Sequence, residues 1–191
     1  MQRTIFDTPI IRHVMPGVSK MLFKLIGWKV VGDFPQIDKY VLIAAPHTSN
    51  WDFPIGLAIC FIGRKKVYWM GKHSLFVGPL GPLARWLGGI PVDRRKSNSL
   101  VEQMAEVYQQ SEQLIVAIPP EGTRKKVEHW KTGFYYIALQ AQVPIVFGYI
   151  DFKTKTGGCG PVFYPSGDIA QDMLIIRNYY QGMQGKNPEN Q

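Results

Sequence analysis

Three short runs made almost wholly of apolar residues constrain this chain more than any other feature: Tyr40 to Ala45, Leu114 to Ile118 and Pro144 to Ile150. Each has strand length and little alternation, the pattern of a strand covered on both faces. Stretches with helical spacing stand between them. Trp51 to Ile62 reads as a helix with Ser49 or Asn50 as N-cap and Pro54 in its first turn. Ser99-Leu-Val-Glu102 has the form of a capping box opening a helix to about Ser111, with Leu100, Val101, Met104, Val107 and Tyr108 as its buried stripe. Lys131 to Gln142 is helical, and Asp168 caps a last helix reaching Tyr180. Shorter strands are expected at Val67 to Met70 and Ile90 to Val92, with a loop and short helix at Pro79 to Leu87. Thr154 to Gly160 reads as a glycine-rich turn leading into Val162-Phe163-Tyr164, the second arm of a hairpin. Strands alternating with helices predict a single α/β domain: a mixed, mostly buried sheet flanked by helices.

The segment from Pro9 to Gly27 stands apart. Ile10, Ile11, Val14, Met15, Val18, Met21, Leu22, Leu25 and Ile26 give it a broad apolar face at helical spacing, with Arg12, Lys20 and Lys24 on the other side. Pro16-Gly17 is expected to split it into two short helices. A cationic amphipathic helix suits a membrane interface, and it suits packing on the protein's own core equally well. The chain thus divides into residues 1–30, an amphipathic membrane-interface segment; 31–181, the α/β domain; and 182–191, a polar stretch expected to fray. A count of 22 Lys+Arg against 14 Asp+Glu, net +8, points to an anionic partner (nucleic acid, an anionic membrane surface or a phosphorylated substrate) or, more blandly, to a generally soluble basic surface. No apolar stretch approaches the roughly 20 residues that cross a bilayer as a helix, so any membrane contact is expected to be peripheral. Cys60 and Cys159 have no metal or redox spacing, and two thiols without a secretory signal suit a cytosol-facing protein.

Three loops after expected strands carry charge and glycine: His47-Thr-Ser-Asn-Trp-Asp52, Gly88-Gly-Ile-Pro-Val-Asp-Arg-Arg95 and Pro119-Pro-Glu-Gly-Thr-Arg124. Loops at strand ends are where open α/β sheets hold their ligands. The first supplies an imidazole to take a proton and an acid, Asp52, to hold it in one tautomer. The others supply the guanidiniums of Arg94, Arg95 and Arg124, which match phosphate oxygens by paired hydrogen bonds. Gly122 lets the backbone approach an anion, and Thr123 adds a hydroxyl donor. Glu121, an acid among cations, is placed to brace an arginine or bind a substrate hydroxyl rather than to act as base. Taken singly, His47 reads more readily as a packed or solvated residue than as a catalyst, and the arginines as a solvated charge run or a surface for anionic lipid headgroups. Their ordered co-occurrence favours a site.

On these motifs the chain resembles the glycerolipid acyltransferase family, whose best known members are the 1-acylglycerol-3-phosphate acyltransferases. His47 to Asp52 matches the family's His-x4-Asp motif, Gly88 to Arg94 its second motif, Pro120 to Arg124 its Pro-Glu-Gly-Thr-Arg motif, and Val143 to Val146 its Val-Pro-Ile-Val run. Four motifs in order cover about half the chain. It departs from the usual pattern at Pro46, Thr48, Pro91 and Phe147, none of them a charged catalytic position.

The resemblance implies transfer of a fatty acyl group from acyl-coenzyme A or acyl carrier protein to the hydroxyl of a lysophospholipid, foremost 1-acylglycerol-3-phosphate. His47 and Asp52 would be catalytic, while Arg94, Glu121, Gly122, Thr123 and Arg124 would bind substrate. The acyl thioester is a substrate, and no cofactor or metal is expected. An anionic membrane surface is an expected partner and nucleic acid is not; the expected location is the cytoplasmic face of the membrane, peripherally held. Two alternatives stay open: the same chemistry on glycerol-3-phosphate, another lysophospholipid or a lyso-aminolipid, and a non-catalytic basic module that binds RNA or membrane.

Overall fold

In the computed structural model, which describes residues 3–92 and 97–191, the three apolar runs become adjacent central strands. From the amino end come α1 (Pro9–Ile26), β1 (Lys29–Val31), β2 (Lys39–Ala45), α2 (Asp52–Ile62) and β3 (Val67–Lys72). Next are α3 (Gly81–Trp86), β4 (Gly89–Val92), α4 (Ser97–Gln109), β5 (Leu114–Ile118) and α5 (Gly133–Ala141). β6 (Ile145–Asp151), β7 (Thr156–Phe163) and α6 (Ile169–Tyr179) complete the order. The strands form one mixed sheet, β1-β7-β6-β2-β5-β3-β4. β6, β2, β5, β3 and β4 run parallel, whereas β7 is antiparallel to β6 and β1 parallel to β7.

Unbroken apolar strands need cover on both faces, and they receive it. Along β2 the side chains alternate between two cores. Tyr40 and Leu42 join Phe23 of α1 and Ile55 and Ile59 of α2. Val41, Ile43 and Ala45 join Met104 and Tyr108 of α4, Phe134 and Ile137 of α5, and Ile176 of α6. In α4 Met104 and Tyr108 are fully buried, and Leu100, Val101 and Val107 pack partly buried beside them.

The fold differs from the sequence expectations at five places. Pro16 does not split α1, which runs unbroken with the proline inside it. An interior proline costs about 3 kcal/mol, but burying Phe23 alone returns about 1.5–3 kcal/mol, and Pro16 is itself buried on the same face. α4 starts at Ser97, so Ser99 stands inside the helix rather than at its cap. Trp51, not Ser49 or Asn50, occupies the N-cap position of α2. Gly157, Gly158 and Gly160 lie within β7 rather than in the turn before it. The reason is the short strand β1, unforeseen in the sequence: a Cβ on Gly158 would come 2.0 Å from the Val31 carbonyl oxygen. Residues 182–191, expected to fray, are tied down. Gln184 N–H donates to Asp151 Oδ1 at 3.0 Å, and Pro188–Asn190 forms a helical turn.

Candidate active site

The loops that follow β2 and β5 meet because these strands are parallel neighbours, with Ile43 opposite Ile118. After the cis Ala45–Pro46 peptide comes His47, whose Nδ1 lies 2.9 Å from Asp52 Oδ2. The same oxygen accepts the backbone N–H groups of Thr48 and Ser49, each at 2.9 Å. Asp52 also opens α2, where the helix dipole favours a negative charge. It is buried while His47 keeps 24% of its side-chain surface exposed. Holding Nδ1 as the N–H that faces the carboxylate leaves Nε2 as the basic nitrogen.

Among the described residues Glu121 braces no arginine. Its Oε1 accepts the backbone N–H of His47 at 3.1 Å, clamping the histidine's main chain from the neighbouring loop. Burial pushes its carboxyl up from the ordinary range, against the lowering effect of backbone donors including His47 N–H. Among the described residues, Asp52 Oδ1 and Glu121 Oε2 are buried with no hydrogen-bond partner.

Gly122 takes a left-handed conformation, φ 66°, so that the chain turns beside His47. Thr123 Oγ1 accepts Lys125 N–H at 3.3 Å, and Arg124 Nη1 donates to Asn50 Oδ1, joining the two loops. The loop then folds back, Lys131 N–H donating to Pro120 O at 2.8 Å. Lys131, expected only as the start of a helix that in fact begins at Gly133, thereby packs on Gly122: a Cβ there would meet its side chain at 3.0–3.2 Å. No local pattern separates Lys131 from Lys126; the fold-back brings Lys131 to the cavity that Lys125 also lines. Arg94 lies outside the described residues.

His47, Asp52, Gly122, Thr123, Arg124 and Lys131 line one cavity of about 1510 Å³ that continues beneath α2 to Ile59, Val67 and Cys159. One end is cationic and carries the base; the remainder is mostly apolar. Cys60 and Cys159 line it too, and burial raises both thiols above their ordinary range, so neither offers a thiolate. A base held by a buried acid, beside cations and an apolar hollow, has the make-up of a group-transfer site for a substrate with an anionic head and an apolar tail.

The acyltransferase family model matches residues 29–150, and the chain belongs to this family. It is 34% identical over 163 residues to 1-acyl-sn-glycerol-3-phosphate acyltransferase alpha of Homo sapiens, covering 80% of this chain and 56% of that protein. With the beta form of Homo sapiens it shares 42% over 109 residues, 54% of this chain and 39% of that protein. The chain spans about half the length of the curated relatives it matches. The crystal structure of the 1-acyl-sn-glycerophosphate acyltransferase of Thermotoga maritima matches with a TM-score of 0.60 at 17% identity, covering 92% of this chain and 82% of that one. That match is one of fold.

Proposed function

We propose that the protein moves a fatty acyl group from an acyl thioester to the hydroxyl of a lysophospholipid, foremost 1-acylglycerol-3-phosphate. The observation that carries the reading is the His47–Asp52 pair on the wall of a cavity with Arg124 and Lys131 at one end and an apolar interior. Nε2 of His47 takes the acceptor's hydroxyl proton as that oxygen attacks the thioester carbonyl. The tetrahedral adduct collapses, the carbon–sulfur bond breaks, and the imidazolium returns the proton to the leaving thiolate. Asp52 stabilises the imidazolium. No covalent acyl-enzyme is needed, because the thioester is already activated. Arg124, Lys131 and Gly122 hold the acceptor's phosphate, and acyl-coenzyme A or acyl carrier protein serves as donor.

The site works at a lipid surface. Ile10, Val14, Met21 and Leu25 recur at helical spacing along α1 and remain exposed, with Lys20 and Lys24 beside them. Leu75, Leu80 and Leu83 are exposed as well as lining the cavity. No helix among the described residues is long and apolar enough to cross a membrane; the exposed stripe of α1 supports a peripheral contact, and two free thiols suit the cytoplasmic face.

The test is transfer from labelled acyl-coenzyme A or acyl carrier protein to a panel of acceptors. His47→Ala should lower kcat/KM by about 10²–10⁴-fold. Arg124→Ala and Lys131→Ala should each raise the acceptor's KM about tenfold and leave the thioester's unchanged. Faster transfer to an acceptor lacking phosphate sinks the phosphate assignment. Unchanged transfer in a folded His47→Ala protein sinks the mechanism, and no transfer by the parent to any acceptor revives a binding module.

A further inference from the structure

The catalytic loop is gripped from outside by a segment far along the chain. Asn187 meets Thr48 twice: its backbone N–H donates to Thr48 Oγ1 and its side-chain Nδ2 donates to the Thr48 carbonyl, each at 3.1 Å. Gly185 is buried against the same threonine, where a Cβ would come 2.4 Å from Oγ1. Lys186 Nζ sits 4.4 Å from the centre of the Trp51 ring, a cation–π contact. The gripping segment is itself moored. Gln184 N–H donates to Asp151 Oδ1 and its carbonyl accepts Phe152 N–H at 2.8 Å. Gln191 accepts Gly185 N–H at 3.0 Å and donates to Met183 O at 2.8 Å.

Thr48 is next to the base, and its N–H donates to Asp52 Oδ2, the oxygen that holds His47 Nδ1. We infer that residues 184–187 are a strap on the catalytic loop and that Asn187 is a positioning residue for the His47–Asp52 pair. The inference rests on the acyltransferase reading of that pair. Residues 46–51 have no helix or strand of their own to hold them, so their shape depends on tethers. Glu121 tethers the loop on the side of β5; the strap tethers it from the far side, anchored at the end of β6. Misplacing a base by about 1 Å costs about 10²-fold in rate. Asn187, Lys186 and Thr48 do not line the cavity. Loosening the strap therefore leaves substrate binding alone and lowers the rate of the chemical step.

The experiment uses the full chain with Asn187→Ala, Gly185→Val and, as control on the same segment, the exposed Glu189→Ala. Steady-state acyl transfer is measured alongside melting temperature and the ring-nitrogen resonances of His47. Asn187→Ala and Gly185→Val should lower kcat about ten- to hundredfold with both KM values within about twofold. The His47 resonances should shift or broaden, and Glu189→Ala should match the parent in all readouts. Retained kcat in both strap variants, a loss expressed in KM, or unmoved His47 resonances overturns the inference. Should Gly185→Val fail to fold, Asn187→Ala decides alone by the same criteria. If the parent transfers no acyl group to any acceptor, the proposed activity fails, and the His47 resonances still decide the strap.

Discussion

Three donors converge on a single oxygen, Asp52 Oδ2: the N–H groups of Thr48 and Ser49 and the Nδ1 of His47. The pair is local, five residues apart, which is why the sequence exposed it. What fixes it is not local. Glu121 reaches the His47 N–H across 74 positions and Asn187 reaches Thr48 across 139, and no periodicity encodes either contact. Glu121 also has a pH consequence. Its folded-state pKa is raised, so the stability it contributes is present below its unfolded value and lost as pH rises through the folded one. Glu121→Gln keeps an oxygen for the His47 N–H and removes the titration. From pH 4 to 7 the parent should lose stability relative to Glu121→Gln, read as urea midpoints. A constant difference between the two would show that Glu121 does not titrate in that window.

At the scale of elements, the central strands were legible because unbroken apolar runs of strand length have few other readings. The border was not. β1 has three residues, Lys29–Val31, with no buried position among them, and only the glycines of β7 that make room for it betray it. Pro16 misled because its local penalty is outweighed by packing that the sequence does not display. The closeness of this border sets a prediction. Gly32 has φ 79°, and a Cβ there would lie 2.0 Å from the Cys159 carbonyl oxygen. Gly32→Ala should destabilise the protein by about 3 kcal/mol, a left-handed penalty added to overpacking. Denaturant titration measures it, and a loss under about 0.5 kcal/mol would mean that β1 peels away without unfolding the sheet.

Over the whole molecule, charge and exposed apolar surface act together. Under the proposed membrane reading, the net charge of +8 attracts an anionic surface and the apolar stripe of α1 inserts into it. The protein should co-sediment with anionic vesicles more than with zwitterionic ones, and less in 0.5 M salt than at low salt. Ile10→Glu with Leu25→Glu should cut that binding at least about tenfold while the helix stays folded. Undiminished binding would move the contact away from α1.

The reversal of β7 and β1 relative to the other five strands carries a consequence for this geometry. Asp151 at the end of β6 pairs with Thr156 at the start of β7, and Thr156 with Lys29 at the start of β1. That row lies on the border of the sheet where β2 hands over to His47, since Ala45 pairs with Tyr149 just short of it. The chain leaving α1 therefore enters the sheet on the catalytic border. Had β1 followed the majority direction, α1 would lead into the sheet at the opposite border, away from His47. Two backward strands bring the end of the amphipathic helix to the border that carries His47, which is where the proposed membrane reading needs it.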